Sequence, residues 1–386
     1  MRPRTTCARM GERTPEVGRP LAPVIVPSST FVFESQNDVE RYYESGAGYV
    51  YSRYENPTVR QVEIGLAGLE GAEDAACFAS GMAAISTTLL ALTRSGDRVA
   101  AQRELYGGAA DLFSRVLPEM GVEVTHLGLD ELAGLEPARI EGCRLLYLET
   151  PVNPTLRVVD LRRAAGVARA AGVTTAVDST FATPILQRPI DLGVDLVIHS
   201  ATKYLGGHSD LIGGVVAGSG ALVGRIMLRR RALGGIMDPF TAFLLLRGVR
   251  TLAVRMEAHC RGASELARFL AGHSRVERVF YPGLAEHPDA DVVRRQMSGP
   301  GGMISLTVGG GDPGARAVHD RLRLFSRAGS LGGVESLVSI PARMSHRYQD
   351  AAMRLLMDVP DDMLRLSVGL EDPADLIEDL DRALRG

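Results

Sequence analysis

Two short apolar runs that each end in polar, chemically capable residues constrain this chain more than any other feature. VTTAVDSTF (173–181) and DLVIHSATK (195–203) are rich in β-branched residues, and the second runs on to Gly206-Gly207. Such runs read as buried parallel strands, because a strand covered on both faces is apolar throughout rather than alternating. Asp178 stands at the carboxyl end of the first, and Ser200, Thr202 and Lys203 emerge from the carboxyl end of the second. CRLLYLE (143–149) is a similar strand, and the small-residue helix RRAAGVARAAG (162–172) lies between it and the Asp178 strand. Alternating strands and helices predict an α/β fold with a mainly parallel sheet, whose ligands sit beyond the carboxyl ends of the strands.

Lys203 is the only lysine; the other positive side chains among the 43 lysines and arginines are all arginine. Wherever a positive charge alone suffices, this chain uses arginine. An ε-amine can shed its proton and attack an aldehyde or ketone, whereas a guanidinium stays charged. A nucleophilic amine at one strand tip and an acid at the next suit a cofactor with an aldehyde to be captured and a ring nitrogen to be kept protonated. Pyridoxal 5′-phosphate is such a cofactor.

Composition narrows the surroundings. The net charge of −3 and pI near 6.3 disfavour nucleic acid as a partner. The one basic cluster, Arg229-Arg230-Arg231, reads as a solvated helix face. Four scattered cysteines, at 7, 77, 143 and 260, carry no metal-ligand spacing, so no metal site is expected and a reducing compartment is. No signal-like apolar segment or membrane-length run is present, so the expected location is cytoplasmic.

Three regions are expected. Residues 1–48 contain Pro3, Pro15, Pro20, Pro23 and Pro27 without helical periodicity and read as an extended arm. Residues 49–238 hold the cofactor-binding strands. Asp238-Pro239 is a helix-start signal, opening a long helical region to about Ala271 and a smaller α+β domain over 239–386. Within the middle region, Ser80-Gly81-Met82 sits between a short strand and a helix, where free backbone amides make an anion site. The hydroxyls of Ser200 and Thr202 suit the same dianion. Tyr106 lies on a glycine-flanked loop, Asn153 in a proline-punctuated loop, and Arg365 in an otherwise apolar strand, where a buried charge needs an anion.

VDSTF, HSATKYLGGHSD, YSRYENPT, SGMAAI, SLGGVESL and RLSVGLED, in that order from about Pro20 to the C-terminus apart from the first two, complete a resemblance. Together they are similar to the Cys/Met-metabolism family of pyridoxal-phosphate enzymes: cystathionine γ-synthases and γ-lyases, methionine γ-lyases and O-acylhomoserine sulfhydrylases. The resemblance implies an aspartate-aminotransferase-like fold of type I and a homotetramer made of two dimers with shared active sites. It implies that Tyr51 and Arg53 reach the cofactor phosphate of a neighbouring subunit, and that Ser80, Gly81, Met82, Ser200 and Thr202 bind the phosphate of their own. Lys203 is then the base and Asp178 the partner of the ring nitrogen. Tyr106 stacks on the ring and moves protons. Asn153 stands beside the cofactor O3′ and, with Ser330 and Arg365, holds the substrate, Arg365 by a bidentate grip on its α-carboxylate.

The residue before SLGG is an acid in cystathionine γ-lyases and is Gly329 here; the cysteine that methionine γ-lyases carry two residues after the tyrosine is Gly108 here. Both changes leave space at the γ-end. The expected reaction is γ-replacement on an O-activated homoserine by a thiol, as in cystathionine γ-synthase. A γ-lyase acting on methionine, cystathionine or another γ-substituted amino acid is the nearer alternative and a pyridoxal-phosphate aminotransferase the farther. A non-catalytic binding module is disfavoured because Lys203, Asp178 and Tyr106 are all present, and a nicotinamide enzyme because no G-x-G-x-x-G follows an early strand.

Overall fold

The computed structural model describes residues 1–11, 20–347 and 349–386. Seven strands form the larger sheet: β1 (Asp74–Phe78), β2 (Arg98–Gln102), β3 (Glu123–Leu127), β4 (Cys143–Glu149), β5 (Thr174–Asp178), β6 (Leu196–Ser200) and β7 (Gly214–Gly218). Their spatial order is β1-β7-β6-β5-β4-β2-β3, with only β7 opposed to its neighbours. Six carboxyl ends therefore share one edge.

The apolar runs are continuous because helices cover both faces. Phe78, Leu145, Tyr147, Ala176 and Ile198 pack beneath the helices Gly81–Leu92 and Gly220–Leu233. The alternate residues point the other way. Cys77 and Ala217 join a core with the helices Pro57–Glu70 and Pro239–Arg250, and Leu146, Leu148 and Val177 join one with the helix Leu161–Ala170. One-residue alternation thus decides which half of each strand lies on the face that leads into the helix Gly81–Leu92.

The smaller sheet contains β8 (Val276–Phe280), β9 (Met303–Val308), β10 (Ser326–Arg327), β11 (Leu337–Ser339) and β12 (Met363–Ser367), in the order β10-β11-β12-β9-β8. Ile304, Leu306, Val338, Leu364 and Leu366 pack against the helices Leu252–Ala271, Gly311–Arg321 and Pro373–Arg385. The opposite face carries Ser305, Thr307, Ser339, Arg365 and Ser367, all buried. This polar face meets the loop that follows β4, where Ser305 Oγ donates to the Pro154 carbonyl at 2.7 Å.

The expected 239–271 helix is two helices, broken at Thr251. Asp238 caps the first by accepting from Phe240 N and Thr241 N. That first helix, and Leu252 and Met256 of the second, still belong to the first core, whereas Ala263 to Leu270 belong to the core of the smaller sheet. The chain passes from one core to the other inside a helix, downstream of the Asp238-Pro239 signal.

Two expectations are corrected. The 1–48 arm is extended only in part: Pro3–Ala8 is helical, with Cys7 and Met10 in the first core, and Gln36–Ser45 is a helix capped by Ser35 and ended by Gly46. Its 12–19 portion, with Pro15, lies outside the described residues. Arg230 is not solvated. It is buried, donating to Glu63 Oε1 at 2.8 Å and to the Cys77 carbonyl at 2.6 Å, because its helix lays that side against the sheet and needs a partner for the buried Glu63 carboxylate. No described helix is long and apolar enough to cross a membrane.

Candidate active site

At the shared carboxyl edge, Glu149 of β4 stands opposite Asp178 of β5, and Ser200 ends β6 beside them. This edge opens into a cavity of about 450 Å³. Ser80, Gly81, Met82, Tyr106, Asn153, Asp178, Ser200, Thr202, Lys203, Ser330 and Arg365 all line it, joined by Glu149, Thr180, Phe181, Ile212, Gly329, Met344 and Ser345.

The first wall is an anion cradle. Ser80 caps the helix Gly81–Leu92 through its side chain on Ala83 N at 3.0 Å, leaving the amides of Gly81 and Met82 for a ligand. Gly81 is needed for space: a Cβ there would lie 3.0 Å from Ser200 Cβ and 3.1 Å from Ser200 Oγ. The Ser200 amide donates to Thr180 Oγ1 at 2.8 Å, which fixes the serine at the mouth. Thr202 is less free than its sequence position suggests, since its hydroxyl accepts from Gly213 N at 3.1 Å and donates to Gly213 O at 3.3 Å.

Opposite lie the amine and the acids. Lys203 Nζ donates to Ser330 Oγ at 2.6 Å. Ser330 has φ 76°, a left-handed backbone that a serine adopts only at a cost. In exchange it turns its hydroxyl to Lys203 and its carbonyl to Arg365, which donates to it at 3.0 Å. Burial, then the nearby Arg365 charge, push the Lys203 ammonium down to about 8. Asp178 accepts from Thr180 N at 3.0 Å, and burial raises its pKa; burial and then the Asp178 charge raise that of Glu149.

Arg365 is buried without a carboxylate partner among the described residues. Its Nη1 donates to Asn153 Oδ1 at 2.8 Å, and its Nε has no partner at all. Burial pushes the guanidinium down to about 10. A structural salt bridge, the alternative its strand position allows, is not formed among the described residues, which leaves the guanidinium able to accept an anionic ligand.

Tyr51 and Arg53 do not line this cavity. Arg53 stacks over the rings of Tyr51 and Tyr54, at 5.5 and 5.1 Å, and donates to the Arg231 carbonyl at 2.9 Å. Tyr51 is 41% exposed.

The profile of the Cys/Met metabolism PLP-dependent enzymes matches residues 4–385. This chain is a member of that family. It is 43% identical over 371 residues to an L-methionine gamma-lyase of Pseudomonas putida, covering 95% of this chain and 93% of that protein. It is also 43% identical over 338 residues to a cystathionine gamma-lyase of Bacillus subtilis (strain 168), covering 87% and 89%. Among solved structures, cystathionine gamma synthase from Xanthomonas oryzae pv. oryzae, crystallised with aminoacrylate and cysteine, superposes with a TM-score of 0.94. That match has 38% identity and covers 100% of this chain and 98% of the other.

Members of the family are pyridoxal-phosphate-dependent enzymes with γ-lyase and γ-synthase activities, and their fold type is the one described above. The donor set here fits that cofactor: two free helix-start amides beside a serine hydroxyl, an amine of depressed basicity, and a buried acid. Sequence reasoning missed Glu149, although the rule that found Asp178, an acid at a strand tip, applies equally to CRLLYLE. It had no signal for Ile212, Met344 or Ser345, which lie in loops and reach the cavity only through tertiary packing.

The amine makes one pH prediction. An ordinary lysine stays protonated to about pH 10.4, whereas Lys203 sheds its proton near pH 8. The rate at which apoenzyme takes up pyridoxal phosphate, followed by growth of its visible band, should rise through about pH 8 and level off above it. A rate still climbing toward about pH 10 would make Lys203 an ordinary lysine.

Proposed function

We propose that this enzyme carries out γ-replacement on an O-activated L-homoserine, with a small uncharged thiol as the incoming group. The observation that carries this is the cavity's lining. Gly329, Ile212 and Met344 on its walls offer no charge, and among the described residues its only carboxylates, Glu149 and Asp178, sit at the strand edge. A distal ammonium, as in cystathionine, would find no acid among the described lining residues away from that edge. Gly329 widens the space, since a Cβ there would come within 3.3 Å of Met344 Sδ. Gly108 does the same for Tyr106, whose Cε1 lies 2.8 Å from where a Cβ would stand.

Pyridoxal phosphate, when bound, supplies an aldehyde for the substrate amine and a ring that accepts the electrons released at Cα. Gly81 N, Met82 N, Ser80 and Ser200 would hold its phosphate, and Asp178 would keep its ring nitrogen protonated. Arg365, fixed by Asn153 and the Ser330 carbonyl, grips the α-carboxylate of the amino acid. Lys203 Nζ takes the Cα proton, and its depressed basicity makes the free amine available near neutral pH. Lys203 and Tyr106 then serve proton transfers at Cβ and at the leaving group. Tyr51 and Arg53, turned away from their own cavity, are read as completing the site of a neighbouring subunit within a homotetramer.

A second reading, γ-elimination from a methionine-like thioether, is favoured by the methionine gamma-lyases among the relatives, whose named substrate has an apolar γ-substituent. One experiment separates the two: O-acetyl-L-homoserine and L-methionine are each incubated with and without methanethiol, and thioether, α-ketobutyrate and ammonia are measured. Thioether from the acylated substrate as the main product supports replacement. Keto acid and ammonia from methionine, unaffected by added thiol, would instead establish the lyase.

A further inference from the structure

Hydrogen bonds run in an unbroken path around the cavity, and one residue without an assigned role stands in the middle of it. Lys203 meets Ser330, Ser330 meets Arg365, and Arg365 meets Asn153. The Asn153 amide then donates to Glu149 Oε1 at 3.4 Å, and the Tyr106 amide donates to Glu149 Oε2 at 2.7 Å. Glu149 is thus the link between the tyrosine wall and the carboxylate-gripping wall.

Its surroundings show that the link is costly. Glu149 is buried and stands opposite Asp178 in the adjacent strand, so two acids share one buried site. Burial and the like charge both oppose its ionisation. What the side chain supplies is reach: its two oxygens accept from two backbone amides, those of Tyr106 and Asn153, on different loops. Gln102 holds Glu149 in turn, its side chain accepting from Glu149 N at 3.1 Å and donating to the Glu104 carbonyl at 2.9 Å. Tyr106, by contrast, is 48% exposed and starts a five-residue helix, so its ring is held chiefly by where its backbone is pinned.

We infer that Glu149 is a positioning residue, whose carboxyl group sets the Tyr106 ring at its working height over the cofactor site and ties that placement to Asn153 and Arg365. The inference rests on the reading of Tyr106 given above. Glu149 touches neither substrate nor reacting atoms in this role; it acts through the two amides it accepts from.

The test compares the holoenzyme with Glu149→Leu, Glu149→Gln and Tyr106→Phe. Glu149→Leu removes the acceptor and one of two crowded acids. Its melting temperature should equal or exceed that of the wild type, while kcat falls at least tenfold, KM stays within about threefold, and the visible circular-dichroism band of bound cofactor loses at least half its amplitude. Glu149→Gln keeps an oxygen for the Tyr106 amide and should stay within about threefold of wild-type kcat. Should the leucine variant not fold, Glu149→Met, unbranched and of similar length, takes its place. Wild-type kcat and dichroism in the apolar variant would overturn the inference, as would equal losses in the glutamine and apolar variants, which would assign the effect to charge. If Tyr106→Phe leaves kcat unchanged, the reading of Tyr106 fails first. If Tyr106→Phe is slow and Glu149→Leu is not, only the inference fails.

Discussion

The Lys203→Ala enzyme is expected to fold with a melting temperature close to that of the wild type, to lack the visible band, and to turn over on the order of a thousandfold more slowly or worse. General acid–base catalysis alone is worth about 10²–10⁴-fold, and Lys203 has no substitute: no other lysine exists in the chain, and the other cation in the cavity is Arg365. Lys203→Arg sharpens the test. It keeps a charge and a donor for Ser330 but cannot release a proton at neutral pH, so it should be as inactive as the alanine variant. A partly active arginine variant would show that charge at this position matters and the free amine does not.

Arg365→Leu is expected to lower kcat/KM for amino-acid substrates by roughly 30-fold to several thousandfold, from the about 2–5 kcal/mol that one partner of a buried, hydrogen-bonded ion pair is worth. The loss should fall on substrates that carry an α-carboxylate. Measured against the corresponding α-amides, the wild type should strongly prefer the acid, and the variant should have lost that preference. Stability should hardly suffer, because the guanidinium is buried without a protein carboxylate and with Nε unpartnered. Arg365→Lys should rescue poorly, since a point charge cannot reach Asn153, Ser330 and a carboxylate at once. Unchanged discrimination between acid and amide would remove Arg365 from the substrate site.

Parts of this molecule were legible before any coordinates. Lys203 stood out because one lysine among so many arginines marks an amine that has to lose its proton. Asp178 and Ser200 were readable from strand tips, and the Ser80-Gly81-Met82 turn and the Asp238-Pro239 helix start from local backbone chemistry. These signals are short-range, carried by a few neighbouring residues. Arg230 was misread for the complementary reason. Its triplet looks solvated, and only the packing of its helix against β1 shows that Glu63 requires it. The 1–48 arm was misread similarly: its prolines suggested extension, yet Pro3 begins a helix that the core beneath Cys7 and Met10 holds in place.

The arrangement of the site belongs to the second class. Strand alternation in RLSVGL put Arg365 on one face or the other of its sheet, but nothing local showed that this face is polar and turned toward the loop bearing Asn153. Lys203 and Ser330 are 127 residues apart, Arg365 and Asn153 are 212 apart, and both contacts depend on how the two sheets dock. By itself the sequence determined the class of fold and the cofactor chemistry, because periodicity, caps and residue type act within one element. Which groups meet, that Arg365 lacks a protein countercharge and that Glu149 joins the tyrosine wall to the arginine wall were decided only when those elements packed, since hydrogen bonds and burial depend on distance in space rather than along the chain.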